Sequence, residues 1–293
     1  MTKTVQKGYA KINLHLDVTG RMAGGYHSVN TVMQSVSLFD TVTVSLRDDT
    51  EYKLSCNVAA VPLDGSNLAI KAAKTFEKRI GRVLGADVHI DKNIPMAGGL
   101  AGGSADAAAV LRGLNLLCGS PLTTKELCDI GSSLGADIPF CIVGGSAFAD
   151  GKGDILHPFP SMPDCTLVIA CGGEGVSTPV AYGAIDQIYG GFEEGSAYEP
   201  RSMKPLFDAA DKQDLYAIAS NTFNIFEEPM LAIRPVAAQL KNIMLSCGAV
   251  GAMMSGSGPS IFGIFDNDTS VSIVCEKIKE AGVTPHVCKP LNI

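Results

Sequence analysis

Residues 98–104 read Gly-Gly-Leu-Ala-Gly-Gly-Ser, four glycines within six positions, directly ahead of an alanine-rich run that begins at Ala105. Glycine lets backbone amides come close to an anion, and a helix N-terminus adds unpaired N–H donors and about half a unit of positive charge. Phosphate is the group such a loop suits. A hinge, or a tight turn ahead of a close-packed helix, is the alternative reading of the same residues. Neither common phosphate fingerprint is present. The only Gly-Lys pair, Gly151-Lys152, is followed by Gly153 and has Ser146 where a Walker loop begins, and no G-x-G-x-x-G occurs.

Two more stretches bear on chemistry. Gly135-Ala136-Asp137-Ile138-Pro139 sets a carboxylate beside a proline that fixes the local backbone. An aspartate held near a bound phosphate can serve as base toward a hydroxyl. Taken alone, the stretch reads more simply as a helix-terminating turn whose aspartate caps a neighbour. Ser255-Gly256-Ser257-Gly258-Pro259, alone, is an ordinary connection between two strands. Among the five histidines, His27 stands out because it follows Tyr26 inside a glycine turn, Gly24-Gly25.

The elements that must position these residues follow from periodicity. Tyr9–Val18 alternates, with Ile12, Leu14, Leu16 and Val18 on one face and Lys11, Asn13, His15 and Asp17 on the other. Residues 32–46 read as two strands, 52–58 as another and 86–90 as a short one, together an antiparallel sheet. Ser66 or Asn67 caps a helix that runs to Ile80 and stops at Gly81. Ser104 or a neighbour opens the alanine-rich helix, and Thr123 with Glu126 forms a capping box for a helix reaching Leu134. Residues 135–140 and 144–154 mix turns with short strands.

Pro158, Pro160 and Pro163 mark a boundary, giving expected domains 1–160 and 161–293. Beyond it lie a strand over 166–171 and a helix begun by Thr178 with Pro179 at its first position. A surface loop follows at 193–202, then helices over 204–220 and 230–245. The chain closes with strands at 249–254 and 261–265, a helix at 270–281 and a strand at 285–288, an α+β layer.

Composition narrows the function classes. With 23 Lys and Arg against 30 Asp and Glu, the net charge is −7, which argues against affinity built on neutralising nucleic-acid phosphates. The 46% hydrophobic and 18% charged content is that of a folded protein. The first ten residues lack an apolar export segment and no run of 18 apolar residues occurs, so a cytoplasmic protein without a membrane partner is expected. The nine scattered cysteines read as buried free thiols.

Three ordered stretches, 10–21 (AKINLHLDVTGR), 95–108 (PMAGGLAGGSADAA) and 255–262 (SGSGPSIF), resemble the three motifs of the GHMP small-molecule kinases. AKINLHL, GGYH (24–27), TVMQSVSLFD (31–40) and LGADIPF (134–140) narrow the resemblance to members acting on a cytidine-diphosphate-linked methylerythritol in the non-mevalonate route to isoprenoid precursors. The resemblance implies an α+β, two-domain fold, with an N-terminal domain like domain 2 of ribosomal protein S5 and a ferredoxin-like C-terminal domain. It implies transfer of the γ-phosphoryl of ATP to a substrate alcohol, with Mg²⁺ arriving with ATP; no protein residue is assigned to the metal, and a monomer or weak homodimer is expected.

Carried over by position, Asp137 matches the catalytic aspartate and Lys11 the lysine that partners it. A cation there favours the ionised base and steadies charge on the transferring group. Asn67 and Leu68 match adenine-side positions. Pro95, Met96, Ala97, Gly98, Gly99, Leu100, Ala101, Gly102, Gly103 and Ser104 match the ATP loop. On the substrate side stand Asn13, Tyr26, His27, Lys92, Thr178 and Tyr182; Tyr26 and His27 match residues that hold the cytosine, and Tyr182 an aromatic on its other face.

The chain also departs from the pattern. The turn usually written Arg-Pro-Asp-Gly-Tyr-His appears as Met22-Ala23-Gly24-Gly25-Tyr26-His27, so a looser loop is expected. Ala101 replaces a common glycine, which demands a permissive backbone there. Gly103 falls where other members place a magnesium-contacting serine, with Ser104 next to it. The rival readings are a homoserine- or mevalonate-type kinase and a non-catalytic nucleotide-binding protein on the same fold.

Overall fold

The computed structural model describes residues 2–193 and 196–292. The chain opens with two long strands, β1 (Lys3–Arg21) and β2 (His27–Arg47). They are followed by β3 (Tyr52–Cys56), α1 (Leu68–Ile80), β4 (Gly85–Asp91), α2 (Gly102–Leu117), α3 (Thr124–Leu134) and α4 (Ile138–Val143). Next come β5 (Ser146–Asp150), β6 (Ile155–Pro158), β7 (Thr166–Cys171), α5 (Thr178–Tyr189), α6 (Lys204–Asp211), α7 (Leu215–Ser220) and β8 (Phe223–Asn224). The last elements are α8 (Glu227–Ile233), α9 (Pro235–Ser246), β9 (Gly251–Met254), β10 (Ser260–Phe265), α10 (Asp268–Glu280) and β11 (Pro285–Cys288). Two compact units result. The first takes in Met1–Ala10, Phe39–Met96 and Ala101–Gly144, the second Lys11–Leu38, Ala97–Leu100 and Gly145–Ile293. This division differs from a single cut at 160/161, because β1 and β2 each carry the chain from one unit into the other.

In the first unit the strand order is β3-β4-β2-β1. Strand β4 pairs antiparallel with β2 from Thr41↔Asp91 to Arg47↔Gly85, and parallel with β3 from Tyr52↔Ala86 to Cys56↔Ile90. Ala86, Val88 and Ile90 of β4 are buried and alternate with exposed Asp87 and His89, as one covered sheet face requires. Phe76 of α1 and the run Ala107–Leu111 of α2 are fully buried. Small residues bring α2 close to β1: a Cβ on Gly8 would fall 2.7 Å from the carbonyl oxygen of Ala105, so only glycine allows that spacing.

In the second unit β8 pairs parallel with β1 through His15↔Phe223, β5 pairs antiparallel with β2, and β6 extends β5. A second sheet runs β11-β7-β10-β9, antiparallel throughout. Leu167–Ala170 and Ile261, Phe262, Ile264 and Phe265 are fully buried there, and Ala237, Leu240 and Met244 of α9 and Val274 and Ile278 of α10 share their core. The closing α+β layer read from the sequence is present.

Several element boundaries differ from expectation, each for a visible reason. Residues 32–46 form part of one strand; nothing in Gln34–Asp40 breaks it, and it only exchanges β5 for β4 as partner. The stretch 204–220 divides at Gln213 (φ 55°), after which Asp214 caps α7 by accepting from the Ala217 amide. The stretch 230–245 divides at Pro235, which cannot continue α8. Residues 138–143 are helical, the N-cap of α5 is Ser177 one position before Thr178, and α10 starts at Asp268 behind the cap Asn267. The described part of 193–202 is irregular. Of the nine free cysteines, Cys141, Cys165 and Cys288 are buried and the others half-buried. Among the described residues no helix is long and apolar enough to cross a membrane.

The capping box is present as read: the Glu126 amide donates to Thr123 Oγ1 and the Thr123 amide to Glu126 Oε2. Thr123→Ala is expected to lower the unfolding free energy by about 1 kcal/mol, measured as a lower urea midpoint with an unchanged m-value.

Candidate active site

The glycine-rich loop owes its path to left-handed backbone. Ala97 (φ 51°), Gly99 (φ 77°) and Ala101 (φ 58°) all lie in that region, so the substitution at 101 does sit where glycine is ordinarily favoured. Helix α2 begins at Gly102, two residues before the expected Ser104, because the turn at Ala101 already aims the chain into the helix. Ala101 supplies no side-chain cap. The amides of Gly102, Gly103 and Ser104 therefore open a 16-residue helix without a capping side chain, a suitable cradle for an anion. Gly98 and Leu100 are buried while Met96, Ala97 and Gly103 are exposed, so the loop turns only part of its length outward.

The loop at 255–260 does more than connect β9 to β10. Ser255 Oγ donates to the Gly99 carbonyl at 3.0 Å and the Ser260 amide to the Gly98 carbonyl at 3.2 Å. A Cβ on Gly99 would fall 2.1 Å from the Ser255 carbonyl oxygen, so glycine is required there by contact as well as by φ. Asn224 Nδ2 holds the loop from below, donating to the carbonyls of Met254 and Gly256. Nothing in the sequence singled out Asn224, which lies in a two-residue strand.

Asn13 ties Lys11 to this assembly. Lys11 Nζ donates to Asn13 Oδ1 at 2.7 Å, the Gly256 amide donates to the same oxygen at 2.9 Å, and Asn13 Nδ2 donates to Thr31 Oγ1 at 2.8 Å. Both residues are buried, Lys11 4% and Asn13 2% exposed, and the Lys11 amide reaches the Leu100 carbonyl. These contacts set Asn13 between Lys11 and the 255–260 loop.

The polar face of β1 from Lys11 to Asp17 is interior. Burial, and secondarily the charge of Arg201, push the His15 imidazole down to about 4. Its ring lies 5.6 Å from Phe223, and Nε2 has no partner among the described residues. Burial raises the Asp17 carboxyl, against the Tyr198 hydroxyl and the amides of Arg201 and Val18 that donate to it.

The turn at 22–27 carries an aromatic cluster. Tyr26 is 61% exposed, with Lys152 Nζ 5.2 Å from its ring centre. His27 is buried, stacks on Tyr182 at 4.4 Å, and meets the edge of Phe192. Tyr182 also meets the edge of Phe226. Asp186 binds His27 Nε2 at 2.8 Å and Arg21 Nη2 at 2.6 Å. Arg21 also donates to the carbonyls of Gly25 and Gly191, and the Met22 amide to the Tyr26 carbonyl, so the turn is tied despite lacking Pro and Asp. Thr178, exposed at the start of α5, precedes Tyr182 and Asp186 by four and eight residues on one helical stripe. That spacing was the available signal for Asp186.

In the first unit, Asn67 accepts from the Ala69 amide and donates to the Pro62 carbonyl, so its amide caps α1. Leu68 lies next to Gly103. Asp137 precedes α4, and its side chain does not cap that helix. Pro95, half-buried, and exposed Met96 lead into the loop.

Lys92 is engaged by two carboxylates, Asp40 at 2.6 Å and Asp106 at 2.8 Å, and all three side chains are buried. Its ammonium lies against Gly102, where a Cβ would be 3.1 Å away. Burial lowers the Lys92 ammonium, but Asp106 and Asp40 outweigh it and the net direction is upward. Asp40 also receives the amides of Asn93 and Ile94, whereas Asp106 Oδ1 has no partner among the described residues. With fewer donors, Asp106 is the acid pushed up to about 7, first by burial, with Lys92 opposing and Asp40 reinforcing. No three His, Cys, Asp or Glu side chains among the described residues come together as a metal cage.

A carboxyl raised in the folded state binds its proton there more tightly than in the unfolded chain. The stability Asp106 contributes is therefore full below its ordinary value of 3.8 and is lost as pH rises to about 7. Asp106→Asn, which mimics the protonated acid, should flatten that decline. Urea midpoints at pH 5 and pH 8 should differ less in the variant than in the parent.

Comparison with known proteins agrees with this architecture. The chain matches GHMP kinases N terminal domain over residues 67–145 and GHMP kinases C terminal over 196–284. It is 42% identical over 267 residues to a 4-diphosphocytidyl-2-C-methyl-D-erythritol kinase of Alkaliphilus metalliredigens, covering 90% of this chain and 89% of that one. A protein of the same name from Gloeobacter violaceus is 40% identical over 290 residues, covering 98% and 94%. A crystal structure of 4-(cytidine 5'-diphospho)-2C-methyl-D-erythritol kinase superposes with a TM-score of 0.78 at 27% identity over 98% of both chains. A homoserine kinase from Cytophaga hutchinsonii, at 18% identity, shares the fold, with a TM-score of 0.74 over 99% of this chain and 94% of that one. The α+β, two-domain fold implied by the sequence motifs is the one found, and the chain belongs to the GHMP kinase family as an ATP-dependent phosphotransferase.

Proposed function

We propose that the protein phosphorylates a hydroxyl of 4-diphosphocytidyl-2-C-methyl-D-erythritol with ATP, in the non-mevalonate supply of isoprenoid precursors. The observation that carries this reading is identity of about 40% along nine-tenths of the chain to relatives bearing that enzyme's name. The buried Lys11–Asn13–Gly256 arrangement supports it, since fixing an ammonium in place has a clear use in phosphoryl transfer.

In the proposed reaction Asp137 takes the proton of the acceptor hydroxyl. The oxygen then bonds to the γ-phosphorus of ATP as the bond from that phosphorus to the β,γ-bridging oxygen breaks, and ADP leaves. Lys11, held by Asn13, balances negative charge on the transferring group. Amides at the start of α2 hold the nucleotide's phosphates. Mg²⁺ arriving with ATP would supply charge neutralisation for the phosphates. The protein is proposed to work in the cytoplasm, as a monomer or weak homodimer.

ADP release measured with the cytidine-diphosphate-linked alcohol, homoserine or mevalonate tests the reading. Turnover is expected with the first alone, and a preference for either of the others would overturn it. Asp137→Asn should lower kcat by about 10²- to 10⁴-fold while the thermal transition is retained, and Lys11→Met should also lower it strongly. Near-normal turnover of a folded Asp137→Asn would remove Asp137 from the mechanism.

A further inference from the structure

Asp186 touches neither the loop nor the groups assigned to phosphoryl transfer, yet it organises the side chain beside Tyr26. One of its oxygens accepts from Arg21 Nη2 at 2.6 Å, and the other lies 2.8 Å from His27 Nε2. A carboxylate can only accept hydrogen bonds, so the ring proton of neutral His27 belongs on Nε2. In that tautomer the other nitrogen, Nδ1, is an acceptor. The stacked Tyr182 and the edge of Phe192 hold the ring plane, so the imidazole can neither turn over nor exchange its nitrogens without disrupting these contacts.

We propose that Asp186 is a positioning residue that sets base specificity through His27: by keeping the proton on Nε2 it presents an Nδ1 lone pair that accepts from the exocyclic amino group of cytosine and opposes the carbonyl that uracil carries at that place. The inference rests on the reading of the substrate as a cytidine-diphosphate-linked alcohol. Cytosine and uracil differ there in hydrogen-bond sense, donor against acceptor, so a fixed acceptor discriminates between them where a freely switching imidazole would accept either. Arg21 serves the arrangement by holding the carboxylate from its far side.

The test compares kcat/KM for the cytidine-diphosphate-linked substrate and its uridine-diphosphate counterpart. The parent enzyme should favour the cytidine form by about 100-fold or more, and Asp186→Asn, which can turn a donor toward the ring, should reduce that preference at least about 10-fold. The change should appear in KM, with kcat for the cytidine form within about threefold of the parent. In a His27→Ala background the same substitution should leave the ratio unchanged, since its effect passes through the ring. General loss of packing would lower both activities together without moving the ratio.

Nitrogen-15 spectra of the parent enzyme give a reading that needs no variant. The Nε2–H form of His27 is expected, and the Nδ1–H form would overturn the proposal. An unchanged ratio in folded Asp186→Asn, or an equal change with His27 absent, would also overturn it. A parent enzyme that used both nucleotides equally would remove the inference and leave the proposed reaction standing. A parent that used neither would remove both.

Discussion

A buried carboxamide governs much of the second unit. Asn13 Oδ1 receives both the Lys11 ammonium and the Gly256 amide, and Nδ2 reaches Thr31, so one planar group fixes a cation, a neighbouring strand and a loop. The Gly256 loop in turn positions Gly98 and Gly99 through Ser255 and Ser260. Each of these polar groups is buried, and leaving one without a partner costs about 1–3 kcal/mol. The network therefore holds as a set, and the loop that looked like a plain strand connection is part of the framework behind the glycine-rich segment.

Charge is handled by the same principle elsewhere. A net charge of −7 suggests an acidic surface, yet Asp17, Asp40 and Asp106 lie inside. Asp40 is met by Lys92 and two amides, and Asp17 by a tyrosine hydroxyl and two amides; Asp106, with fewer donors, is the acid whose carboxyl burial pushes up to about 7. The Lys92 ammonium beside Gly102 places positive charge next to the uncapped start of α2. An acidic composition does not preclude a local positive field, since helix amides and an ammonium act over short range.

What the sequence disclosed follows the range of the forces involved. Asn67 and Gly81 at the ends of α1, the Thr123–Glu126 box, and the apolar run of β7 were legible because each depends on residues within four positions of one another. Alternation along β1 correctly separated its two faces but not their surroundings, since a polar face packed on other polar groups has the same period as one in water. The start of α2 was displaced because Ala101 adopts a conformation its residue type disfavours. Asn224, Asp186 and the Ser255–Gly99 contact escaped because their partners lie 30 to 159 residues away. Motif resemblance identified the family across that distance; the contacts that position Lys11 and His27 required coordinates.

The close approach at Gly8 bears on how the family's motifs should be interpreted. Gly8 stands three positions before Lys11 and presses its backbone against Ala105, one residue beyond the glycine-rich loop. Any side chain there would push α2 away from β1 and move the first turn of the helix with it. Saturation mutagenesis would thus rank Gly8 as intolerant because it maintains spacing between two backbones. Assays of protein abundance beside those of turnover would show Gly8 variants lost from both.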